Sequence, residues 1–264
     1  MDKNKPPMIM ATLLLERPAF IDHAKLVERI GTQLGITAQL NLLSPDGTGT
    51  MIAGDDVVMG MHIDRPYPDD LSSCAVFAHW WPTALQDIAQ CQAHLIMASN
   101  WSKHSRLDGH LRHMLLIREL IEQLPTIGVL WGSVLTPAAN FKGEFQAAMN
   151  GQVPILLWVL IQYSRQPNGN FLISTLGMRD FGHMEIEAES SLPLQETYDL
   201  VRRLADYIVG SDVRIPDGDT VGLSEEQRIK TWHERSFRPD VSEPVLWLDL
   251  CDNPPATRPA DHMH

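Results

Sequence analysis

The chain has 264 residues, of which 44% are hydrophobic, so it is long enough to bury one large core or two smaller ones. Its net charge of −12 argues against binding to nucleic acid or to an anionic membrane, because both depend on Lys and Arg side chains. An acidic surface is suited instead to attract a basic partner. The three cysteines lie far apart without a CxxC pair, which favours reduced thiols in the cytoplasm over disulfides or a thiolate zinc site.

The first apolar run, Met8–Leu15, follows two lysines, as the apolar region of a signal peptide does. It ends at Glu16-Arg17-Pro18 without a small-residue cleavage site, so we interpret it as a β-strand. No stretch reaches the roughly 18 apolar residues of a membrane span, and we expect no membrane partner.

Residues 8–99 predict strand, helix, two strands, helical segment and strand. Asp22 is suited to cap the first helix and Gly35 to end it. Pro82 divides the helical segment Asp69–Cys91, because proline suits the first turn of a new helix. The predicted strands are Met8–Leu15, Gln39–Leu43, Thr50–Ile63 with a bend at Gly54-Asp55, and Ala93–Ser99.

One long helix over about 103–124 precedes a second run of similar element order. Asn168-Gly169 between two apolar runs indicates a hairpin. The elements predicted in this half are a strand Ile127–Leu135, a short helix Phe141–Met149, strands Ile155–Tyr163 and Phe171–Leu176, a helix Leu194–Val209 and a strand Val245–Leu250.

This repeated order predicts an α+β fold of two ferredoxin-like βαββαβ units, a pseudo-duplication joined by the long helix. The predicted bounds are 1–102 for the first unit, 103–125 for the connecting helix, 126–251 for the second unit and 252–264 for a disordered tail. The tail is predicted from its proline-rich, polar composition.

The sequence carries no recognisable catalytic or phosphate-binding motif. Gly47-Thr48-Gly49 begins like GxGxxG, but Ile52 occupies the third glycine position. His183-Met184-Glu185 matches the H-x-E of zinc deaminases without the P-C-x-x-C that supplies the other ligands. The acids around Gly218 have the wrong spacing for a calcium loop. We therefore expect no catalytic residues, no metal and no cofactor.

Two features remain as candidates for binding. His104 with Asp108, and His110 with His113, share faces of the long helix, and we interpret them as a solvated face rather than a metal site. Trp80 and Trp81 precede Pro82, so one is expected to face the core and the other partly the solvent, where tryptophan often anchors an interface.

Several segments resemble the bacterial family called domain of unknown function 4261. They are Ser174–Gly182, Glu185, Asp217–Gly222, Ser224–Glu226 and Trp80–Pro82. The resemblance covers roughly residues 8–250 and implies a bacterial cytoplasmic protein. Some family members lie beside contact-dependent or type VI toxin genes, so the resemblance implies an immunity role. Apart from the family, the glycines and threonines of these turns are typical of structural turns, and Ser224 with Gln227 has the spacing of a helix-capping box.

The sequence favours a non-enzymatic binding protein, whose partner is a protein such as a basic toxin and not a nucleic acid. The predicted partner-binding residues are Trp80, Trp81, Asp180, His183 and Glu185. One alternative is an enzyme or small-ligand protein with its site in a cleft between the two units. Another is a scaffold whose sheet edges pair two copies into a homodimer.

Overall fold

The structure, a computed structural model, describes residues 8–42, 48–53, 56–101, 103–222, 228–239 and 241–251. These residues form two sheets and six α-helices, which confirms the α+β class. The chain divides into two compact units, Met1–Leu160 and Ile161–His264. Among the helices described, none combines the length and the apolar composition that a bilayer crossing requires.

Unit 1 contains a seven-stranded sheet in the order β2-β3-β4-β5-β1-β6-β7, with every pair of neighbouring strands antiparallel. Its strands are β1 (Ile9–Leu15), β2 (Ala38–Leu42), β3 (Thr48–Ala53), β4 (Asp56–Ile63), β5 (Ala93–Asn100), β6 (Thr126–Trp131) and β7 (Val134–Pro137). Its helices are α1 (His23–Leu34), α2 (Ser72–Ala75), α3 (Ala84–Ile88), α4 (Arg106–Ile121) and α5 (Ala138–Met149). The interior strand β1, between β5 and β6, ends in three leucines, Leu13–Leu15, that are inaccessible to solvent.

Helices α1 and α4 pack together on the sheet face that we call the inner face. Asp22 caps α1 by accepting a hydrogen bond from the Lys25 backbone N–H, and Gly35 ends it in the left-handed conformation. Glu119 of α4 is fully buried and accepts hydrogen bonds from Arg29 and Gln33 of α1. Because a buried carboxylate needs such partners, Glu119 fixes α1 against α4.

Among the described residues of unit 1, the helices and loops on the opposite, outer face cover its β6–β7 end. The segment containing α2 and α3 packs there, and Trp81 joins Leu14, Leu130 and Leu135 in one buried cluster. A Cβ atom on Gly128 of β6 would lie 2.5 Å from the Trp81 ring, so only glycine lets the indole approach this strand.

Unit 2 contains a six-stranded sheet in the order β11-β12-β13-β10-β9-β8. Its strands are β8 (Leu160–Arg165), β9 (Phe171–Leu176), β10 (Ile186–Ser190), β11 (Thr220–Val221), β12 (Ile229–Arg235) and β13 (Pro244–Leu250). Strands β10 and β13 are parallel. Parallel neighbours need a long connection, and here α6 (Leu194–Ser211) with β11 and β12 provides it. Helix α6 contacts β9 and β10 and buries Val201, Leu204 and Ile208.

The structure does not confirm the ferredoxin-like duplication. A split βαβ unit leaves one strand between the two strands that a helix joins, whereas β3, β4 and β5 all lie between β1 and β2. The predicted bent strand Thr50–Ile63 is in fact two paired strands, with Ala53 opposite Asp56. In unit 2, β10 and β12 were not predicted as strands.

The division of the chain also differs from the predicted bounds of 1–102, 103–125 and 126–251. The predicted strand Ile127–Leu135 is interrupted at Gly132, whose φ of 56° reverses the chain and makes β6 and β7 a hairpin. Because β6 pairs with β1, this hairpin belongs to unit 1. The predicted tail 252–264, the bend at Gly54-Asp55 and the capping box at Ser224 lie outside the described residues.

Replacing Gly128 with alanine tests the contact between Trp81 and β6. We expect Gly128→Ala to lower the free energy of unfolding by about 1–3 kcal/mol, because the new methyl group displaces the indole. Chemical denaturation measures the change.

Gly143→Ala is the matched control, since a Cβ on Gly143 in α5 meets no atom within 4 Å. This variant is expected to stabilise the protein by roughly 0.5–1 kcal/mol, because alanine favours the helix over glycine. Equal effects of the two substitutions would contradict the role assigned to Gly128.

Candidate functional site

Trp80 and Trp81 lie between α2 and α3 and face in different directions. Trp81 is 6% exposed, and its Nε1 donates a 2.7 Å hydrogen bond to Asp87 Oδ2. Trp80 is half-buried, and its Nε1 donates to the Leu135 carbonyl oxygen of β7 at 3.1 Å. Trp81 is therefore a core residue, and only Trp80 retains surface for a partner.

Asp180, His183 and Glu185 lie in the connection between β9 and β10 of unit 2, with different exposure. Asp180 is exposed on the 3₁₀ helix Met178–Phe181. His183 is buried, and its Nε2 lies 3.3 Å from Oδ1 of Asp212, which follows α6. Glu185 is only 2% exposed. Of the three, Asp180 offers the most accessible side chain.

The Glu185 carboxylate closes the loop that precedes it. It accepts hydrogen bonds from the backbone N–H groups of Gly177, Met178 and Arg179 and from the Thr175 hydroxyl, the last at 2.7 Å. Successive N–H groups at the start of a helix form a favourable position for negative charge, and here the charge comes from the chain itself. The segment therefore has a structural role.

Two further acidic residues fix neighbouring loops of unit 2. Glu187 is buried and accepts hydrogen bonds from the Ser236 hydroxyl and the Phe237 backbone N–H. Burial raises the pKa of Glu187, and these two hydrogen bonds oppose the rise. Asp217 accepts a 2.7 Å hydrogen bond from the His233 N–H, which fastens the turn around Gly218 to β12.

Glu185→Gln tests the structural role of this carboxylate. The amide keeps one acceptor oxygen and places an NH₂ group against backbone donors, so we expect the free energy of unfolding to fall by about 2–3 kcal/mol. Denaturant titration, followed by a probe in unit 2, measures it.

Asp180→Asn is the control for this substitution. Because its side chain is exposed, the expected change is within about 0.5 kcal/mol. If Glu185→Gln were equally neutral, the carboxylate would be available for binding rather than required by the fold.

The histidines of α4 divide between surface and core. His104 Nδ1 lies 2.7 Å from Asp108, as expected for residues one turn apart, and its Nε2 lies 3.3 Å from Asp56. His110 and His113 are buried among aromatic side chains, with His113 edge-on to Trp131. The prediction that His104, Asp108, His110 and His113 form a solvated face is therefore wrong for His110 and His113.

Ser99 and His113 form a buried pair that the sequence analysis missed, because the two residues lie on different elements. Ser99 Oγ lies 2.6 Å from His113 Nδ1, and both residues are at most 1% exposed. His113 Nε2 has no hydrogen-bond partner among the residues that the structure describes. A catalytic Ser–His pair needs access to substrate and a group that orients the imidazole. This pair is therefore a hydrogen bond of the core.

Acid titration tests the burial of these imidazoles. Burial lowers the pKa of His113 to about 3 and that of His110 to about 4. The charge of Arg106 lowers the pKa of His110 further, and the charge of His110 lowers that of His113. Both groups are neutral in the folded and unfolded protein above pH 6.5. Below that pH the unfolded chain binds more protons, so the free energy of unfolding should fall by about 1.4 kcal/mol per pH unit for each histidine until about pH 4.

The double variant His110→Gln/His113→Gln should flatten this dependence, whereas His79→Gln, at an exposed position, should leave it unchanged. Unfolding free energies measured between pH 7 and 4 give the slopes. A variant slope equal to that of the wild type would show that other groups cause the acid sensitivity.

Two cavities among the described residues of unit 1 bear on ligand binding. One, of about 40 Å³, lies under α1 and α4 and has an apolar lining that includes Leu26, Val58 and Met97. That volume suits a water molecule rather than a metabolite. A more open one of about 460 Å³ is lined by residues around Thr126 and Lys142. Neither includes the predicted site residues, and in the described part of the chain no cluster of His, Cys, Asp or Glu is arranged to hold a metal ion.

The uncovered end of the outer sheet face carries a patch of exposed apolar side chains. Met10, Val57, Met59 and Met61 are 40–52% exposed, and we call these four residues the methionine face. Met10 of β1 and Met59 of β4 both lie opposite Ala98 of β5, so the patch crosses three adjacent strands. Contiguous apolar surface of this kind is typical of interaction sites.

The sequence contained a signal for this face. Residues 57–61 of β4 are apolar on both sides of the strand, as in a strand covered on both faces. The described residues of unit 1 cover the inner side, where Val58 is 1% exposed, and leave Val57, Met59 and Met61 at least 40% exposed on the outer side. The prediction missed this signal because it treated Thr50–Ile63 as one strand, whereas β3 ends and β4 begins within that range.

The segment that covers the other end of the outer face is acidic. Residues 64–88 contain four aspartates, and Arg65 is the only Lys or Arg among them. Hydrogen bonds from Ser72 lower the pKa of Asp70, and those from Thr83 and Trp81 lower the pKa of Asp87. These carboxylates remain ionised at neutral pH, so the segment that shares the outer face with the methionine face is negatively charged.

Comparison with known proteins bears on unit 2. Residues 174–247 match the sequence model of a family described as "Domain of unknown function (DUF4261)". The match includes the segments around Ser174–Gly182 and Asp217–Gly222, which confirms the resemblance for this part of the chain, whereas Trp80–Pro82 lies outside it. No curated protein and no solved structure matches the chain.

Proposed function

We propose that this chain is a non-enzymatic bacterial protein that binds another protein through the methionine face. The observation that carries the proposal is the exposure of Met10, Val57, Met59 and Met61 on a sheet face whose β6–β7 end is covered by the segment containing α2 and α3. Methionine suits such a surface, because its flexible thioether adapts to differently shaped partners.

The partner is proposed to be basic. The chain carries a net charge of −12, and the segment that covers the other end of the same sheet face contains Asp64, Asp69, Asp70 and Asp87. Opposite charges at the rim of an interface accelerate association and discriminate among partners. A second copy of the chain brings the same acidic segment to the contact, so repulsion disfavours a homodimer through this face.

In this proposal the protein acts in the cytoplasm as an immunity protein that neutralises a type VI or contact-dependent toxin. Covering a toxin's working surface requires no reactive group. Of the residues predicted to bind the partner, Trp80 and Asp180 reach the surface and remain proposed contacts. Trp81, His183 and Glu185 are buried, so they are proposed to support such contacts indirectly. The alternative of an enzyme with a site between the units remains a prediction.

A tagged pull-down from the native bacterium, at low and at high salt, tests this function. We expect one stoichiometric basic protein that is toxic when expressed alone and harmless when this chain is co-expressed. Its capture should weaken at high salt, because salt screens the charges at the rim.

The variant Met10→Ser/Met59→Ser/Met61→Ser should lose both capture and protection, and Met149→Ser, at a site 54% exposed on α5, should retain them. A captured protein that is not toxic, or protection that survives the triple substitution, would refute the proposal.

A further inference from the structure

The thioethers of the methionine face differ in exposure from the other methionines of the described core. Met10, Met59 and Met61 are 52%, 40% and 44% exposed, whereas Met97, Met114 and Met178 are at most 5% exposed. Oxidation of methionine follows the access of the oxidant to sulfur. The first three therefore meet a dissolved oxidant before the others do.

The three exposed residues also lie close together. Met10 and Met59 are both paired with Ala98, and Met61 is paired with its neighbour on the same face, Ile96. Side chains paired across antiparallel strands have Cβ atoms about 5 Å apart, and the small Ala98 leaves the thioethers above it accessible. One oxidant thus acts on adjoining side chains of a single surface.

We propose that Met10, Met59 and Met61 form a reversible oxidation site that switches off binding at this face. A peroxide transfers one oxygen atom to each sulfur: the O–O bond breaks, an S–O bond forms, the sulfur loses two electrons and water is released. The product sulfoxide is polar and accepts hydrogen bonds from water, so burying it against an apolar partner becomes costly.

The fold tolerates this change, because the buried core of unit 1 lies on the inner face of the same strands. Val58 and Leu95, which point inward, are 1% exposed and carry no sulfur. The exposed sulfoxides are also accessible to methionine sulfoxide reductases, which remove the oxygen as water while two thiols become a disulfide. Oxidation at this face therefore changes binding without unfolding the protein.

Only the consequence of oxidation, the loss of partner binding, rests on the proposed function. Its test needs no partner. The full-length protein is treated with hydrogen peroxide, sulfoxides are located by peptide mass spectrometry, and binding of the neutral apolar dye Nile red reports the apolar surface. We expect sulfoxide at Met10, Met59 and Met61, as at the exposed Met8 and Met149, before any at Met97, Met114 or Met178. Dye fluorescence should fall several-fold at the rate at which Met10, Met59 and Met61 are oxidised, while the far-ultraviolet circular dichroism spectrum stays unchanged.

Three variants separate the face from the rest of the molecule. Met10→Leu/Met59→Leu/Met61→Leu should keep its dye binding after peroxide, because leucine is apolar and resists oxidation. The corresponding triple change to glutamine should bind little dye before any treatment. Met149→Leu should behave as the wild type, since Met149 is exposed on α5 away from this strand face.

Treatment with both methionine sulfoxide reductases and dithiothreitol should restore the dye signal of the oxidised wild type. The proposal is overturned if Met97 and Met114 oxidise as fast as Met59, or if dye binding persists when all three sites carry sulfoxide. Absence of a toxin partner in the cell would refute the immunity function but would leave these readouts unchanged.

Discussion

The packing of Trp81 on Gly128 determines how much of the first sheet is covered. The indole reaches β6 only because residue 128 has no side chain, and it anchors α2 and α3 over Leu14 and Leu130. Beyond that cover, Met10 of β1 and the outer side of β4 present the methionine face to solvent, on either side of β5. The β6–β7 end of the outer face is therefore part of the buried core, and the other end carries the surface that we assign to binding.

Unit 2 uses its polar residues in a different way. Glu185 and Glu187 are buried and hold the loops at 177–179 and 236–237 through backbone N–H groups. The family match at residues 174–247 includes both glutamates and the turn around Gly218. In this chain those matched residues therefore stabilise the fold of unit 2, and they do not by themselves indicate a reaction.

The sequence predicted the individual elements better than their arrangement. Helix α6, strand β13 and the hairpin at Asn168-Gly169 follow from local signals: helical spacing of apolar residues, an apolar run and a turn dipeptide. The strand order depends on long-range pairing, which periodicity does not encode. Gly132 could be recognised as a chain reversal only once β6 was known to pair with β1.

The candidate site was predictable only in part, for a related reason. Glu185 was predicted to bind the partner, but it is buried, and three backbone N–H groups that converge when the loop at Gly177 closes hold its carboxylate. The buried pair of Ser99 and His113 joins β5 to α4, and the methionine face joins three strands, so neither exists in any one segment. Which of these side chains are exposed and which are buried is decided only when the strands and helices pack together.

Hydroxyl-radical footprinting of the chain with and without its captured partner tests the central claim most directly. The account predicts that the partner slows the oxidation of Met10, Met59 and Met61 several-fold and leaves the rate at Met149 unchanged. Equal rates at the methionine face with and without the partner would contradict it and would place the interface elsewhere on the molecule.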